Sequence, residues 1–254
     1  MLPETRRSRP YSGRVVNHPP PDPHRRLRPR MPKSERQAQI LTIAQDLFAT
    51  HGFHHISMDD IAERAEVSKP ILYRHFPSKL DLYLAVIDER GQALVDSVAL
   101  ALVPVREAAA AAAASGNADR DVDGYAVVHA VVRAYVDFAD GCGVAASLLF
   151  ESDVTRDDVV RERVEEPNRR NAELFAAALA TFTDLTEAQT LTVARTATVM
   201  ARVAASDTLR ADRDADTARA ADGETTMDTA ELVAQFAWRG IHGMVRREVP
   251  SEGR

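Results

Sequence analysis

Apolar residues recur at intervals of three and four along most of the chain, which is the spacing of one face of an α-helix. Runs that alternate apolar and polar residues between turns, and would predict strands, are nearly absent. Alanine-rich stretches and an aromatic content of only 6% favour helices that pack closely through small side chains. The pattern therefore predicts an all-α protein.

The segment 57–79 predicts two short helices joined by a tight turn. Ser57 with Asp60 forms a capping pattern, and Ser68 followed by Pro70 opens a second helix. The apolar positions that would face a core are Ile61, Ala62, Ala65, Val67, Leu72 and Phe76. Two helices in this arrangement form a helix-turn-helix, whose second helix can enter the major groove of DNA.

Several side chains of this segment lie outside the apolar face and can donate hydrogen bonds. Lys69 and Pro70 begin the second helix, where side chains of this motif meet base edges. Lys79 begins the next helix and is expected to bind a phosphate. A helical hairpin with a merely solvated outer face is the alternative. The predicted DNA-contact residues are Ser57, Met58, Ser68, Lys69, Pro70, Tyr73, His75 and Lys79.

The run AEVSKPILYRHFPSK at 65–79 resembles the signature of the tetracycline-repressor (TetR) family of bacterial transcription regulators. The resemblance extends from Ser34 to about Ala85. It implies a three-helix DNA-binding domain, a helical domain that dimerises and often binds a small molecule, and phosphate contacts from Tyr73 and His75. Glu66 departs from the family pattern, which usually has Gly there. The turn is therefore either strained, at about 1–2 kcal/mol for a positive φ, or differently shaped.

Three regions are predicted: a tail at 1–32, a helix-turn-helix DNA-binding domain at 33–77, and a helical effector-binding and dimerisation domain at 78–249. The tail holds eight prolines and eight arginines, so we expect it to be disordered. Two explanations for it remain open. It is either a basic arm that contacts DNA, or the product of an upstream start site, because Met31-Pro32-Lys33-Ser34 resembles the opening of a family member.

Caps and breakers predict where the helices begin and end. The expected opening residues are Ser34, Ser78, Gly124, Thr155, Thr186 and Asp228, and Gly52 should end the first helix. Pro167 predicts a kink or a break, and glycines 141 and 143 should bracket another. Residues 103–123 are expected to be an insertion that is half helix and half loop, and 210–227 a loop. The helix at about 186–209 should bury Leu191, Val199, Met200 and Val203.

Two further sites are predicted in the second domain. A hydrophobic ligand pocket would be lined by Tyr135, Phe138, Leu148, Phe150, Phe175, Phe182 and Met200. The last helix carries a wide apolar stripe, and pairing it with the helix before it in a second copy would form a four-helix bundle. The predicted dimer interface comprises Leu232, Val233, Phe236, Gly240, Ile241 and Met244.

Composition narrows the protein class. The net charge of −6 leaves about −12 outside the basic tail, so DNA binding requires a local basic patch. The single Cys142 excludes an intramolecular disulfide and favours a reducing cytoplasm. We expect no membrane span and no secretory signal. His51, His54 and His55 have no partner at ligand spacing, so we expect neither a metal nor a cofactor.

Catalysis is poorly supported, because neither a catalytic triad signature nor a phosphate-binding glycine loop is present in the sequence. The leading hypothesis is a homodimeric repressor that a small hydrophobic ligand releases from a palindromic operator in double-stranded DNA. The alternative is a dimeric DNA-binding protein without a small-molecule effector, controlled by a protein partner or by its abundance. A cavity among the predicted pocket residues would favour the first, and a filled core the second.

Overall fold

The structure is a computed structural model that describes residues 32–115, 123–151, 157–217 and 228–244. Its regular elements within these ranges are α-helices and one 3₁₀ turn, which confirms the all-α prediction. The helices are α1 (Lys33–His51), α2 (Met58–Arg64), α3 (Lys69–His75), α4 (Lys79–Ala101), α5 (Val103–Ser115), α6 (Gly124–Cys142), α7 (Ser147–Phe150), α8 (Asp158–Leu179), α9 (Glu187–Thr217) and α10 (Thr229–His242). The 3₁₀ turn is Gly143–Ala146.

Helices α1 to α3 form a small N-terminal unit that packs on the start of α4. The core of α1 consists of Ile40, Ala44 and Phe48, all essentially fully buried. The prediction that Ser34 caps α1 is wrong, because the helix already begins at Lys33 with Pro32 in the cap position. A proline suits this place, since its missing N–H would have no partner inside the helix. Gly52 ends α1 at a positive φ of 81°, as predicted.

Helix α4 connects the N-terminal unit to the larger helical layer formed by α6, α8, α9 and α10. Ser78 caps it by accepting a hydrogen bond from the Asp81 backbone N–H, as its sequence pattern predicted. Where α4 meets α8, a Cβ on Gly91 would lie 2.4 Å from the Pro167 Cγ. The two helices approach so closely because Gly91 has no side chain. Helix α8 continues through Pro167, so the predicted break is absent.

A hydrogen bond between side chains joins α10 to α6. The Tyr125 hydroxyl donates to the Glu231 carboxylate at 2.7 Å, and the Gln235 side chain donates to the same carboxylate. This hydrogen bond raises the pKa of Tyr125 to about 12 and lowers that of Glu231. Asp228 caps α10 by accepting from the backbone N–H of residue 230.

The last long helix differs from its prediction in extent and in orientation. Helix α9 continues to Thr217, so the first part of the predicted loop at 210–227 is helical, and residues 218–227 lie outside the described ranges. Val199 and Val203 are 51% and 50% exposed, although both were predicted to be buried. Alanines occupy the inner face instead, namely Ala194, Ala197, Ala201, Ala204 and Ala205. Small side chains there let α9 lie close to α6 and α8.

Three smaller predictions of helix ends have different outcomes. Helix α6 runs through Gly141, and the break comes only at Gly143, which has a φ of 51°. Helix α8 is capped by Asp157, whose carboxylate accepts two backbone N–H groups, while Thr155 lies outside the described residues. Thr186 and Gln189 form the predicted reciprocal cap at the start of α9.

Glu66 adopts the left-handed backbone conformation, which is the strained one of the two alternatives predicted for this turn. Its φ is 53°, and within the described residues no other non-glycine residue has a positive φ. The turn is closed by hydrogen bonds from the Val67 N–H to the Ala62 carbonyl and from the Glu66 N–H to the Glu63 carbonyl. The backbone is therefore fixed by its neighbours, and Glu66 pays the steric cost of this conformation.

We expect Glu66→Gly to stabilise the protein by up to about 1 kcal/mol, because relief of strain exceeds the entropy that glycine adds to the unfolded chain. Thermal melts of the two proteins measure the difference. Glu63→Gly is the matched control, since it places glycine in regular helix and should lower the melting temperature. A lower melting temperature for Glu66→Gly would refute the strain argument.

Candidate nucleic-acid interface

The first helix of the pair is fixed at its start by a capping box. The Ser57 hydroxyl accepts a hydrogen bond from the Asp60 backbone N–H, and the Asp60 carboxylate accepts one from the Ser57 N–H at 2.8 Å. The hydrogen bonds from Ser57 lower the pKa of Asp60. The buried face of α2 comprises Met58, Ile61 and Ala62. Only 7% of Met58 is exposed, and its assignment to the DNA contacts stays a prediction.

The second helix, α3, buries one side and presents the other to solvent. Leu72 is fully buried and anchors the helix, while Phe76 closes the core behind it. The exposed side carries the predicted contact residues Ser68, Lys69, Pro70 and Tyr73, together with Arg74. The Ser68 hydroxyl makes no capping hydrogen bond, which leaves it available for a phosphate.

Lys69 lies on this outer side but is paired within the protein. Its Nζ donates to the Asp59 carboxylate at 2.7 Å, and both side chains are about 60% exposed. This hydrogen bond, more than the general charge attraction, raises the pKa of Lys69. Asp59 was absent from the predicted site, although its place in the first turn of α2 was visible in the sequence. For Lys69 to contact a base, its ammonium group must therefore leave the Asp59 carboxylate and donate to the base instead.

His75 is less exposed than its sequence position suggested. Its Nδ1 is buried and has no hydrogen-bond partner among the described residues, so a phosphate contact would use Nε2. Burial lowers the pKa of His75, and the positive charges of Arg74, Lys33 and Arg36 lower it further. The positive charges of the first turn of α1 thus act on the end of α3. The sequence analysis did not assign Lys33 and Arg36 to the site, although a basic first turn is a recognisable signal.

Lys79 has a structural contact that the sequence did not indicate. Its Nζ donates to the carbonyl oxygens of Phe53 and Ile56 at 2.8 and 2.9 Å, and lies 4.2 Å from the centre of the Phe53 ring. The loop between α1 and α2 is thereby tied to the start of α4. The expectation that Lys79 serves chiefly as a phosphate ligand does not match this geometry, because two of its three donors are already used.

Lys79→Met should therefore destabilise the protein by about 1–3 kcal/mol, because it removes two charge-assisted hydrogen bonds and leaves two carbonyls unpaired. Thermal or urea unfolding measures this loss. Lys69→Met provides the control, since its exposed ion pair contributes little to stability. A Lys79→Met protein of unchanged stability whose DNA binding becomes less salt-dependent would restore the original phosphate role.

The predicted pocket residues have several different neighbours in the described structure. Tyr135 and Phe138 of α6 meet Phe150 of α7, with ring centres 6.3 and 6.2 Å apart. Phe182 lies beside Trp238 at a ring distance of 6.5 Å. Met200 lines a groove of about 260 Å³ between α9 and α10 instead. Leu148 and Phe175 are both buried. Three of the predicted pocket residues, Tyr135, Phe138 and Phe150, thus form an aromatic cluster at α6 and α7.

The predicted dimer stripe on α10 divides into an inner and an outer part. Ile241 is buried in the protein's own core, and Val233 is half-buried. Leu232, Phe236 and Met244 are 55%, 68% and 43% exposed, and Gly240 lies on the same line. Met244 and Gly240 share the α9–α10 groove with the outer side of α9. Val199 and Val203 of α9 are also exposed, and Val199 lines a separate groove between α8 and α9.

Residues 40–86, which include α2, α3 and the turn between them, match the sequence profile described as bacterial regulatory proteins, tetR family. The HTH-type transcriptional activator FasR of Mycolicibacterium smegmatis is 37% identical over 136 residues, which are 54% of this chain and 55% of that protein. Residues 40–86 therefore match the tetR family of bacterial regulatory proteins. The HTH-type transcriptional regulator EthR of the same organism is 46% identical over 54 residues, 21% of this chain and 25% of EthR. The chain therefore spans about half the length of FasR and a quarter of EthR.

Solved structures show the same TetR fold. A TetR-like transcriptional regulator from Rhodococcus sp. RHA1 superposes with a TM-score of 0.59 at 24% identity, covering 84% of this chain and all of that one. The transcriptional regulator FadR from Bacillus subtilis, in complex with stearoyl-CoA, gives a TM-score of 0.55 at 11% identity, covering 80% of this chain and 96% of FadR. At these identities the likeness establishes the fold.

The described residues include neither a metal-binding cluster nor a membrane span. No group of three or more His, Cys, Asp or Glu side chains in the described ranges is arranged to hold a metal ion. None of the helices placed by the structure is long and apolar enough to cross a bilayer. The profile and the relatives named above are those of transcriptional regulators.

Proposed function

We propose that this protein is a homodimeric transcriptional regulator that binds a palindromic operator in double-stranded DNA and responds to a small hydrophobic ligand. The observation that carries the proposal is the arrangement of α3. Leu72 fixes the helix in the core, while Lys69, Pro70 and Tyr73 remain exposed along its outer side. A short helix held in this way can enter a major groove while its buried side stays packed in the core.

The charges around α3 support DNA binding despite the acidic total. Lys69 and Arg74 lie on the recognition helix, and Lys33 and Arg36 approach its far end from α1. We assign Lys69 and Pro70 to base edges, and Ser57, Ser68, Tyr73 and His75 to phosphates. Phosphate contacts supply affinity and orientation, and contacts to base edges supply sequence preference.

Dimerisation would place two α3 helices on neighbouring turns of DNA, about 34–36 Å apart. The exposed residues of α10 and the adjacent face of α9 offer an apolar surface suited to an antiparallel four-helix bundle. Gly240 lets the partner helix approach closely. A two-fold interface of this kind matches a two-fold operator.

Ligand response is proposed from the aromatic cluster of Tyr135, Phe138 and Phe150, which is suited to an apolar molecule. A ligand bound there changes DNA affinity only if it favours one of two separations of the recognition helices. FadR of Bacillus subtilis holds stearoyl-CoA in the same fold, which supports a hydrophobic effector here. The dispersal of the other predicted pocket residues favours the alternative, a dimer without an effector.

The test is to sequence the genomic DNA that the protein retains in its source cell. We expect an enriched palindrome whose half-sites lie one helical turn apart. Tyr73→Glu, which places a negative charge at an exposed position of α3, should abolish the enrichment and is the background control. Retention of random DNA by both proteins would refute the proposal.

The same experiment determines the direction of regulation. FasR is named an activator, whereas we expected a repressor. An operator that overlaps a promoter indicates repression, and one upstream of it indicates activation. Transcript levels in cells without the protein check the assignment. Such a regulator would act in the cytoplasm.

A further inference from the structure

A polar network lies inside the apolar layer between α6 and α8. Tyr135 and Asn171 are both fully buried, and the Asn171 Nδ2 donates to the Tyr135 hydroxyl oxygen at 3.0 Å. The Tyr135 hydroxyl in turn donates to the Asn168 Oδ1 at 3.1 Å. Burial raises the pKa of Tyr135 to about 12, so the phenol stays protonated and keeps this donor at neutral pH.

One atom of this network is left without a partner. The Asn171 Oδ1 is buried and accepts no hydrogen bond from any described residue. Rotating the amide by half a turn would not solve the problem, because the Nδ2 hydrogens would then lose their acceptor. A buried amide oxygen without a donor is unfavourable, and such atoms usually mark a bound water or a ligand.

The network has aromatic rings as neighbours, and one of its residues also lines a surface groove. The Phe150 ring lies alongside Tyr135, with the ring centres 6.3 Å apart, and Phe138 meets Phe150 edge-on. Asn168 also lines a surface groove of about 350 Å³ between α8 and α9. Asn168 thus joins the buried network to a place where a molecule from solvent can begin to enter.

We propose that the Asn171 Oδ1 is the polar anchor of the effector site, and that the effector is an elongated apolar molecule carrying one hydrogen-bond donor, such as an alcohol hydroxyl or an amide N–H. This inference deepens the ligand response proposed above and rests on it. The donor satisfies the unpaired oxygen, and the apolar part lies against Phe150 and Phe138.

A free carboxylate does not fit this anchor. It would bring a negative charge to an acceptor oxygen inside an apolar layer, where desolvation is costly. Arg202, whose positive charge acts on Tyr135, is already paired with Glu165 at 3.1 Å. The site therefore distinguishes neutral donors from anions and from molecules that only accept hydrogen bonds.

The experiment compares two probes of equal length, 1-octanol and methyl heptyl ether, which differ in the presence of a hydroxyl donor. Calorimetric titration of the full chain should show at least tenfold tighter binding of the alcohol, because the ether leaves the oxygen unpaired. Asn171→Leu, which keeps the branched shape and removes both the acceptor and the Nδ2 donor, should bind both probes equally. Thr183→Val, which removes a buried hydroxyl bonded to the Leu179 carbonyl, is the matched control and should keep the preference.

Several results would overturn the assignment. These are equal binding of the two probes, preference for the ether, binding of neither probe, or a preference that survives in Asn171→Leu. Should Asn171→Leu fail to fold, the comparison of the two probes on the unchanged protein still decides the question.

Operator binding measured with the same probes separates this inference from the proposed function. If the alcohol binds through Asn171 but operator affinity does not change, the inference about the Asn171 Oδ1 holds and the proposed control of DNA binding by a ligand is refuted. Binding of neither probe by a protein that still retains its operator would refute the anchor alone.

Discussion

Phe236→Glu should convert the dimer to a monomer and reduce operator affinity by on the order of 100-fold or more. Phe236 is 68% exposed in the single chain and lies at the centre of the outer stripe on α10. In the proposed four-helix bundle it would pack against its partner, and a carboxylate there would be desolvated without a counter-charge. In a dimer, binding of one half-site brings the second recognition helix close to the other half-site. A monomer therefore loses more affinity than a single half-site contributes on its own.

Sedimentation velocity measures the oligomeric state, and operator titration measures the affinity. Leu100→Glu is the matched control, since Leu100 is 73% exposed on α4, away from the stripe. We expect this control to remain dimeric with unchanged melting temperature. If Phe236→Glu sediments as a dimer, the interface lies elsewhere and the outer stripe has another role.

Local features of the DNA-binding unit could be predicted from sequence because they depend on neighbouring residues. The capping box of Ser57 and Asp60 was visible as residue types at fixed spacing. The positive φ of Glu66 was one of two alternatives that the family resemblance left open. Contacts between distant residues could not be found in this way. The hydrogen bonds from Lys79 to the loop carbonyls span more than 20 positions, and each acceptor is a backbone atom with no sequence signal.

The larger domain was harder to predict for a related reason. Helical spacing identifies an apolar face, but it does not tell whether that face meets the same chain or a partner. Val199 and Val203 were therefore assigned to the core, although they are half exposed, and alanines fill the core in their place. The same ambiguity applies to the aromatic residues, because a pocket depends on how separate helices pack.

The second large effect on operator binding is expected at the exposed ion pair of Lys69 and Asp59, at the start of α3. Lys69 is held by Asp59 across the turn, at 2.7 Å. On DNA, its ammonium group would exchange this acceptor for the O6 and N7 atoms of a guanine. Because the exposed pair is weak and screened by salt, the exchange is energetically accessible. Asp59 would also repel phosphates, so we expect it to suppress binding to sequences that offer Lys69 no base contact.

We expect Lys69→Ala to weaken operator binding by roughly 10- to 100-fold per half-site and to relax the preference at one base pair. Asp59→Asn should instead raise the affinity for DNA, and the gain should be larger for random DNA than for the operator. Binding-site selection with all three proteins measures both effects, and the pair of variants controls for the loss of the ion pair itself. If Lys69→Ala selects the same sequence logo as the unchanged protein, Lys69 does not read a base and only solvates the start of the helix.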